Sequence, residues 1–298
     1  MPVKKIADDA ASREPSTPPE RQRDPLARAF QLLTLMIDEG ENSYGVRQIG
    51  TLLGVTPSTA HRLLADLEKL GLVRRLHGGG YSLGLEFHRL AWASIARFPL
   101  RDAAEPVLRD LSASSSESAF LGIYNEQRCQ MTFASHVESS HPLRYVLELN
   151  TWLALYAGAS GQAILAFLPV EVIATVIADG LSRITENTVV NKGELNAHLA
   201  EIRDKGYAIS HGERIVGAVG IAAPIFGASG EVVGDVGITL PQSRFEAKKQ
   251  THLAALVKKS ASELSESIGG GAQATSVNPG AGTPGRFRRG GRTVATPA

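Results

Sequence analysis

Cysteine is almost missing from this chain: among 298 residues there is only Cys129. One thiol cannot close an intramolecular disulfide or build a cysteine-based zinc site. Such usage suits a reducing compartment, and a cytoplasmic protein is expected. The first 25 residues, MPVKKIADDAASREPSTPPERQRDP, lack the apolar stretch that a secretory signal requires. Long uncharged runs are also scarce. Asn150 to Val170 carries no charge, is largely apolar and could span a bilayer by length, but Gly158, Ser160, Gly161 and Gln162 divide it. It reads instead as a strand end, a turn and a buried helix, and no membrane contact is expected. No Walker loop or dinucleotide fingerprint occurs, so no cofactor is expected. His136-Val137-Glu138 has the H-x-E spacing of zinc deaminases, but no P-C-x-x-C follows. Ser160 lies in GASGQ, not in G-x-S-x-G. No catalytic residue and no metal site is therefore assigned. Cys129 reads as a small buried hydrophobe, and His136 and His141 as surface or strand-end residues.

What is present is enough for two domains, with 43% apolar residues. The net charge of +1 hides an uneven distribution. Residues 24–97 carry 8 basic and 7 acidic side chains, residues 98–268 carry 14 and 19, and residues 269–298 carry 4 and none. Any DNA-binding face must therefore be sought locally. Residues 1–23, rich in Pro, Ser, Ala and charge, and residues 269–298, rich in Gly, Pro, Ala and Thr, have few large apolar side chains and read as disordered tails, the second one basic.

The remainder falls into two blocks. In the first, Leu26, Phe30, Leu33 and Ile37 mark a helix face, a second helix covers Val46 to Leu53, and a third opens at Thr56-Pro57-Ser58. Thr56 is a natural N-cap, Pro57 suits the first helical position and Gly71 is the stop. Two short strands, Leu72–Leu76 and Tyr81–Leu83, flank a Gly78-Gly79-Gly80 tip. Helices at Phe87–Arg97 and Leu100–Ser112 read as a linker. In the second block SAFLGIYN, CQMTFASHV and LRYVLEL read as strands, GQAILAFLP, Pro169–Ala178 and Gly193–Lys205 as helices, Tyr207–Ser210, Ile215–Phe226 and Val232–Leu240 as strands, and Ser243–Ile268 as a long closing helix. Strands broken by helices, then consecutive strands, suggest an α+β sheet with helices packed on it.

Helix, turn, helix and hairpin within about 60 residues is the plan of a winged helix-turn-helix, whose second helix enters the major groove by its N-terminal residues. That helix begins Pro57-Ser58-Thr59-Ala60-His61-Arg62. Ser58, Thr59, His61 and Arg62 lie on its leading turns, with Leu63, Leu64 and Leu67 turned to the core. Arg62 could pair bidentately with guanine or hold a phosphate. Thr56, Arg47, the strand residues Arg74 and Arg75, and Gly79 at the wing tip complete the candidate DNA-contacting set. The same spacing also occurs in plain helical bundles. Three readings thus stand: a ligand-responsive DNA-binding regulator, a small-molecule enzyme with a helical accessory domain, and a winged helix used for protein contacts.

Three runs carry a resemblance: VRQIGTLLGVTPSTAHRLLADLEKLGLVRRLHGGGYSLG, LALYAGASGQAILAFLP, and GYAISHGERIVGAVGIAAPIFGASGEVVGDVGITLP. Together, and in this order, they resemble the IclR family of bacterial transcriptional regulators over nearly all of residues 24–268. The resemblance implies an α+β chain with a winged helix-turn-helix (24–85), a linker helix (86–99) and a GAF-like effector-binding domain (100–268). It also implies no enzymatic activity, double-stranded operator DNA near a catabolic operon as partner, assembly as a homodimer or dimer of dimers, and a small organic acid or aromatic catabolite as effector. Matched motif to motif, the family's effector positions fall on Ala159, Ser160, Ser210, Gly220, Gly237 and Thr239. Relatives often carry an acid in the stretch that here reads Ser210-His211-Gly212-Glu213, and often serines at the last two positions. The lost acid and the two glycines suggest a roomy, less negative pocket. Free N–H groups at the Gly158–Gly161 helix start would favour a carboxylate.

Overall fold

The computed structural model describes residues 24–95 and 99–270. The expected N-terminal tail, and the expected basic tail apart from Gly269 and Gly270, lie outside the described residues. The described residues divide into two compact units, 24–95 and 99–270.

The first unit contains α1 (Pro25–Asp38), α2 (Val46–Leu53), α3 (Pro57–Lys69), β1 (Val73–Arg75), β2 (Tyr81–Leu83) and α4 (Leu85–Ile95). Gly54 ends α2 with φ +63, a left-handed conformation that favours glycine. The Thr56 hydroxyl then accepts the Thr59 N–H at 3.3 Å and Pro57 occupies the first turn of α3. β1 and β2 pair antiparallel with Val73 opposite Leu83. The core holds Leu32, Met36, Tyr44, Ile49, Leu64, Leu67, Val73 and Tyr81. Of the α1 face expected to turn inward, only Leu33 does so. Leu26, Phe30 and Ile37 are 64%, 65% and 48% exposed, and the helix buries Leu32, Leu33 and Met36 instead. LARAFQLLTLMI is apolar around most of its circumference, so periodicity alone does not select the buried side. Phe87 packs α4 on this core, whereas Leu85, Leu90 and Trp92 are exposed.

The second unit begins with α5 (Pro99–Ser115) and continues through β3 (Ser118–Asn125), β4 (Gln130–Val137), β5 (Leu153–Ala154), α6 (Gly158–Leu165), α7 (Val170–Ala178), α8 (Lys192–Lys205), β6 (Ala208–His211), β7 (Ala218–Phe226), β8 (Val232–Pro241) and α9 (Gln250–Ser267). Six strands form one sheet in the order β5-β4-β3-β8-β7-β6, with every neighbouring pair antiparallel. β7 and β8 lie inside the sheet and are buried almost throughout, as a strand covered on both faces should be. One face carries Leu108, Leu111, Val236, Ile238, Val257 and Leu264 against α5 and α9. The other carries Phe120, Met131, Phe133, Ile164, Leu195 and Leu199 against α6 and α8. The result is the expected α+β, GAF-like architecture.

Several expectations need correction. LRYVLEL is not a strand. Leu143–Glu148 is irregular, and Leu149 makes only an isolated bridge to Phe133. Its alternation reflects loop packing, with Leu147 buried and Val146 71% exposed. β7 begins at Ala218, because Gly212 and Gly217 take φ of +69 and +76 and close a turn in which the Gly212 N–H donates to the Ala218 carbonyl at 2.7 Å. The closing helix starts at Gln250, after a single 3-10 turn at Ala247–Lys249. Gly269 and Gly270 are placed, and end α9: the Gly270 N–H donates to the Ser265 carbonyl at 2.7 Å. Cys129 is half-buried in the β3–β4 turn, with φ +50. His136 lies within β4, and His141 is half-buried beyond its end. No helix among the described residues is long and apolar enough to cross a membrane, and no group of three or more His, Cys, Asp or Glu among them could hold a metal ion.

Candidate functional site

In the first unit α3 buries Ala60, Leu63, Leu64 and Leu67. This orientation leaves Ser58, His61 and Arg62 exposed and Thr59 half-buried on its leading turns. Thr56 bonds the hydroxyls of Ser58 and Thr59, both at 3.0 Å, so the three side chains form one hydroxyl cluster at the helix start. The hydroxyl of Thr56 is thus already engaged as the cap. Arg47 on α2 is exposed, as are Arg74 and Arg75 on β1. Arg74 also donates from Nε to the Ser82 hydroxyl across the hairpin at 3.0 Å. Gly79 sits at the exposed tip with φ +86, and nothing lies within 4 Å of where a Cβ would be. Arg47, Arg62, Arg74 and Arg75 are not ion-paired within the described residues. Lys69 is held by Asp66 at 3.0 Å. Among the described residues of the first unit, the cations without an ion pair are thus Arg28 on α1, Arg47 on α2, Arg62 on the α3 leading turns, and Arg74 and Arg75 on β1.

In the second unit a cavity of about 50 Å³ lies between the sheet and the start of α6. Ala159, Ser160, Ser210, Gly220 and Thr239 all line it, together with Phe120, Phe133, Leu147, Glu213, Arg214 and Ile215. Alternation along β8 turns Asp235, Gly237 and Thr239 to this side of the sheet. Gly237 is nevertheless not part of the lining. A Cβ there would stand 2.4 Å from the Ile221 carbonyl and 2.6 Å from Cζ of Phe120. Phe120 is its register partner on β3, so the room left by glycine is filled by a phenyl ring. At Gly220 a Cβ would meet Ala159 at 3.3 Å and Ser210 at 3.4 Å, which is close packing rather than open space. The expected roomy pocket is therefore a small one.

The helix start is not a set of free donors either. The Gly158 N–H donates to Oε2 of Glu213 at 3.1 Å, and the Ala159 N–H to the Ser210 hydroxyl at 2.9 Å. Gly158 has φ +81, and a Cβ there would meet Cβ of Arg214 at 3.4 Å. A carboxylate of the chain itself thus occupies the place foreseen for a ligand's. Gln162 donates a second bond to Glu213, at 2.7 Å. Burial nevertheless raises the Glu213 carboxyl above its ordinary range, opposed by these bonds and by the nearby His198 and Arg214. Arg214 donates through Nη2 to the carbonyls of Ala154 and of Ala157, the latter at 2.6 Å, and burial pulls its pKa down. Beneath Ser160 lies Asp235, wholly buried, with Oδ1 accepting the Ser160 hydroxyl at 2.7 Å and Oδ2 without a partner. Burial pushes Asp235 up to about 7.

Two acids, Glu213 and Asp235, stand with one arginine around the pocket. Neither Asp235 nor Arg214 was foreseen from the sequence, and Glu213 was noted only as part of the departing stretch. A charged residue inside the otherwise apolar strand VVGDVGITLP was the available signal for Asp235.

Two family models match this chain: the IclR helix-turn-helix domain over residues 25–77, and the bacterial transcriptional regulator IclR C-terminal domain over residues 92–266. The glycerol operon regulatory protein of Streptomyces coelicolor is 32% identical over 83% of this chain and 96% of its own. The transcriptional repressor IclR of Escherichia coli is 27% identical over 91% of this chain and 98% of its own. The crystal structure of a putative IclR transcriptional regulator from Silicibacter sp. TM1040 superposes with a TM-score of 0.75 at 28% identity, covering 86% of this chain and all of that one. An IclR homologue from Microbacterium hydrocarbonoxydans complexed with 4-hydroxybenzoate has the same fold, with a TM-score of 0.72 at 22% identity, over 82% of this chain and 98% of its own. These matches indicate a transcriptional regulator, not an enzyme: the chain belongs to the IclR family of bacterial DNA-binding regulators, with a helix-turn-helix domain and a C-terminal effector domain.

Proposed function

We propose that this chain is a cytoplasmic, ligand-responsive regulator of a catabolic operon, acting as a homodimer or dimer of dimers and controlled by a small carboxylate. The carrying observation is that each unit presents its own cluster of polar side chains where a ligand can reach it. The first has exposed Ser58, His61 and Arg62 at the tip of α3. The second has buried Ser160, Ser210 and Thr239 around a cavity. In this reading Ser58, Thr59, His61 and Arg62 meet base edges or phosphates in the major groove. Arg47, Thr56, Arg74, Arg75 and Gly79 meet the backbone beside it.

In the cavity the hydroxyls of Ser210 and Thr239 and the guanidinium of Arg214 are the groups for an acid. Phe120, Phe133, Leu147 and Ile215 take its apolar part. Ala159, Ser160 and Gly220 form the floor. With about 50 Å³ available, a compact acid fits as the protein stands, and an aromatic one requires the lining to part.

The domain division 24–85, 86–99 and 100–268 is proposed in the same sense, with α4 as the linker. The test is a mobility-shift titration of the full chain against DNA flanking its own gene. Pyruvate, benzoate and 4-hydroxybenzoate are added in turn. Specific retardation relieved or strengthened by one of these acids supports the reading. Retardation indifferent to sequence sinks the regulator, and indifference to all three acids at saturating concentration sinks the carboxylate.

A further inference from the structure

We propose that Asp235 sets the hydrogen-bonding polarity of the effector cavity through Ser160, so that a carboxylate enters together with one proton taken up by Asp235. The proposal rests on the reading of this cavity as the effector site. Its starting point is a carboxyl group held in an unusual place. Asp235 is fully buried in the middle of β8. Its Oδ1 lies where a Cβ on Gly122 would be, 1.9 Å from that position, so the opposing glycine on β3 makes the niche. The groups around it from β3, β4, β7 and α6 are Gly122, Met131, Pro224 and Ser160, none of which titrates. The charge acting on it is Arg214, from the β6–β7 loop, whose Nη2 donates to two backbone carbonyls and not to Asp235. One hydrogen bond and an orphan oxygen are poor compensation for a buried carboxylate. The neutral acid is the form the niche suits, and burial raises this group to about 7.

The protonation state decides what Ser160 offers. A hydroxyl has one proton and two lone pairs. While Asp235 is ionised, that proton is spent inward on Oδ1 at 2.7 Å, and only lone pairs face the cavity. An incoming carboxylate then meets an acceptor and a buried negative charge. Once Asp235 takes a proton from solvent, its O–H donates to the Ser160 oxygen, and the serine proton is free to turn to the ligand. No covalent bond forms or breaks apart from the Oδ–H bond, and the net charge of the liganded cavity equals that of the free one. Glu213 is the other acid nearby, but its Oε2 already receives two donors, whereas Oδ2 of Asp235 receives none.

The test uses the full chain with benzoate, pyruvate and 4-hydroxybenzoate as probes, and reads Kd from pH 5.5 to 8.5 together with proton uptake in buffers of different ionisation enthalpy. Expected for the wild type is uptake of about one proton above pH 7, and weakening of about tenfold per pH unit there. Asp235→Asn, whose amide donates permanently to Ser160, should bind at pH 8 as the wild type binds at pH 6, with no uptake. Glu213→Gln should keep the pH dependence. Equal pH profiles for wild type and Asp235→Asn, or loss of the dependence in Glu213→Gln alone, overturn the proposal. Where none of the acids binds even at pH 5.5, the carboxylate reading of the cavity fails on its own account. The Asp235 inference is then read from the side-chain carboxyl carbon resonance of the free protein. A midpoint near 7 that rises in Ser160→Ala supports it, and a midpoint near 4 unmoved by Ser160→Ala overturns it.

Discussion

Asp235 has a consequence for stability that is independent of any ligand. Its folded-state pKa, raised from 3.8 to about 7, means that the native protein holds a proton the unfolded chain has released between those values. The native state is then relatively favoured below about pH 4, and loses that advantage as pH rises towards 7. Asp235→Asn removes the effect. Wild-type stability should fall relative to the variant by about 1.4 kcal/mol per pH unit within this window. The difference should level off above it. Denaturant melts of both proteins at pH 5, 6, 7 and 8 check the sign, and a constant difference across the series would show that Asp235 is not held neutral.

The two glycines of the cavity side separate in the same way. Gly237→Ala places a methyl 2.4 Å from a carbonyl and 2.6 Å from Phe120, and should cost about 1–3 kcal/mol of stability through overpacking. Gly220→Ala meets the Ala159 methyl at 3.3 Å and the Ser210 hydroxyl at 3.4 Å, a tight fit without a backbone clash, and should cost less stability than Gly237→Ala while narrowing the cavity. Thermal denaturation of the pair distinguishes a glycine required by packing from one that lines a site. At this scale the sequence was legible where a motif could be matched position by position, since five of the six matched residues line one cavity. It was not legible where function depends on what stands opposite. Phe120 filling the space at Gly237 and Gly122 making room for Asp235 are cross-strand relations that no linear spacing encodes.

Among the elements, α3 shows most directly how sequence becomes geometry. Thr56, Pro57 and Gly71 bracket it, and its leucines select the buried face, so its polar tip is exposed by default. Thr56→Ala removes the cap and should destabilise the first unit by about 1 kcal/mol, lowering affinity for every DNA through a frayed helix start. Arg62→Ala should leave stability unchanged. If Arg62 reads a base, the variant should lose about 1–3 kcal/mol of operator binding, while non-specific binding changes little. Parallel titrations on operator and on scrambled DNA tell these outcomes apart, and unchanged operator affinity in folded Arg62→Ala removes the residue from the contact set.

Element boundaries were readable wherever caps and glycines punctuate the chain, as at Val46–Leu53, which the structure matches residue for residue. They failed at LRYVLEL, where alternating side chains imitate a strand but the backbone finds no ladder beyond the Phe133–Leu149 bridge. Hydrophobic alternation reports which side chains are covered, not whether the main chain is paired.

For the whole molecule the decisive surface is the one that periodicity assigned to the wrong side. Leu26, Phe30 and Ile37 recur at helical spacing along α1 yet lie 48–65% exposed, and α4 exposes Leu85 at 73%, Leu90 at 47% and Trp92 at 64%. Large apolar side chains in such numbers are costly to leave in water and mark contact surfaces on soluble proteins. A symmetric dimer would cover both helix faces with copies of themselves. It would also set two recognition helices at a fixed separation, doubling the few base pairs that one helix reads. Phe30→Glu with Trp92→Glu places charges on both faces without touching the core around Leu32, Leu64 and Val73. The double variant should sediment as a smaller species at micromolar concentration, melt without loss of the first-unit core, and bind a palindromic operator far more weakly than the wild type, while one half-site is bound about equally by both. A wild-type protein that sediments as a monomer and still binds the full operator tightly would sink the dimer. So would a double variant with unchanged mass and unchanged affinity.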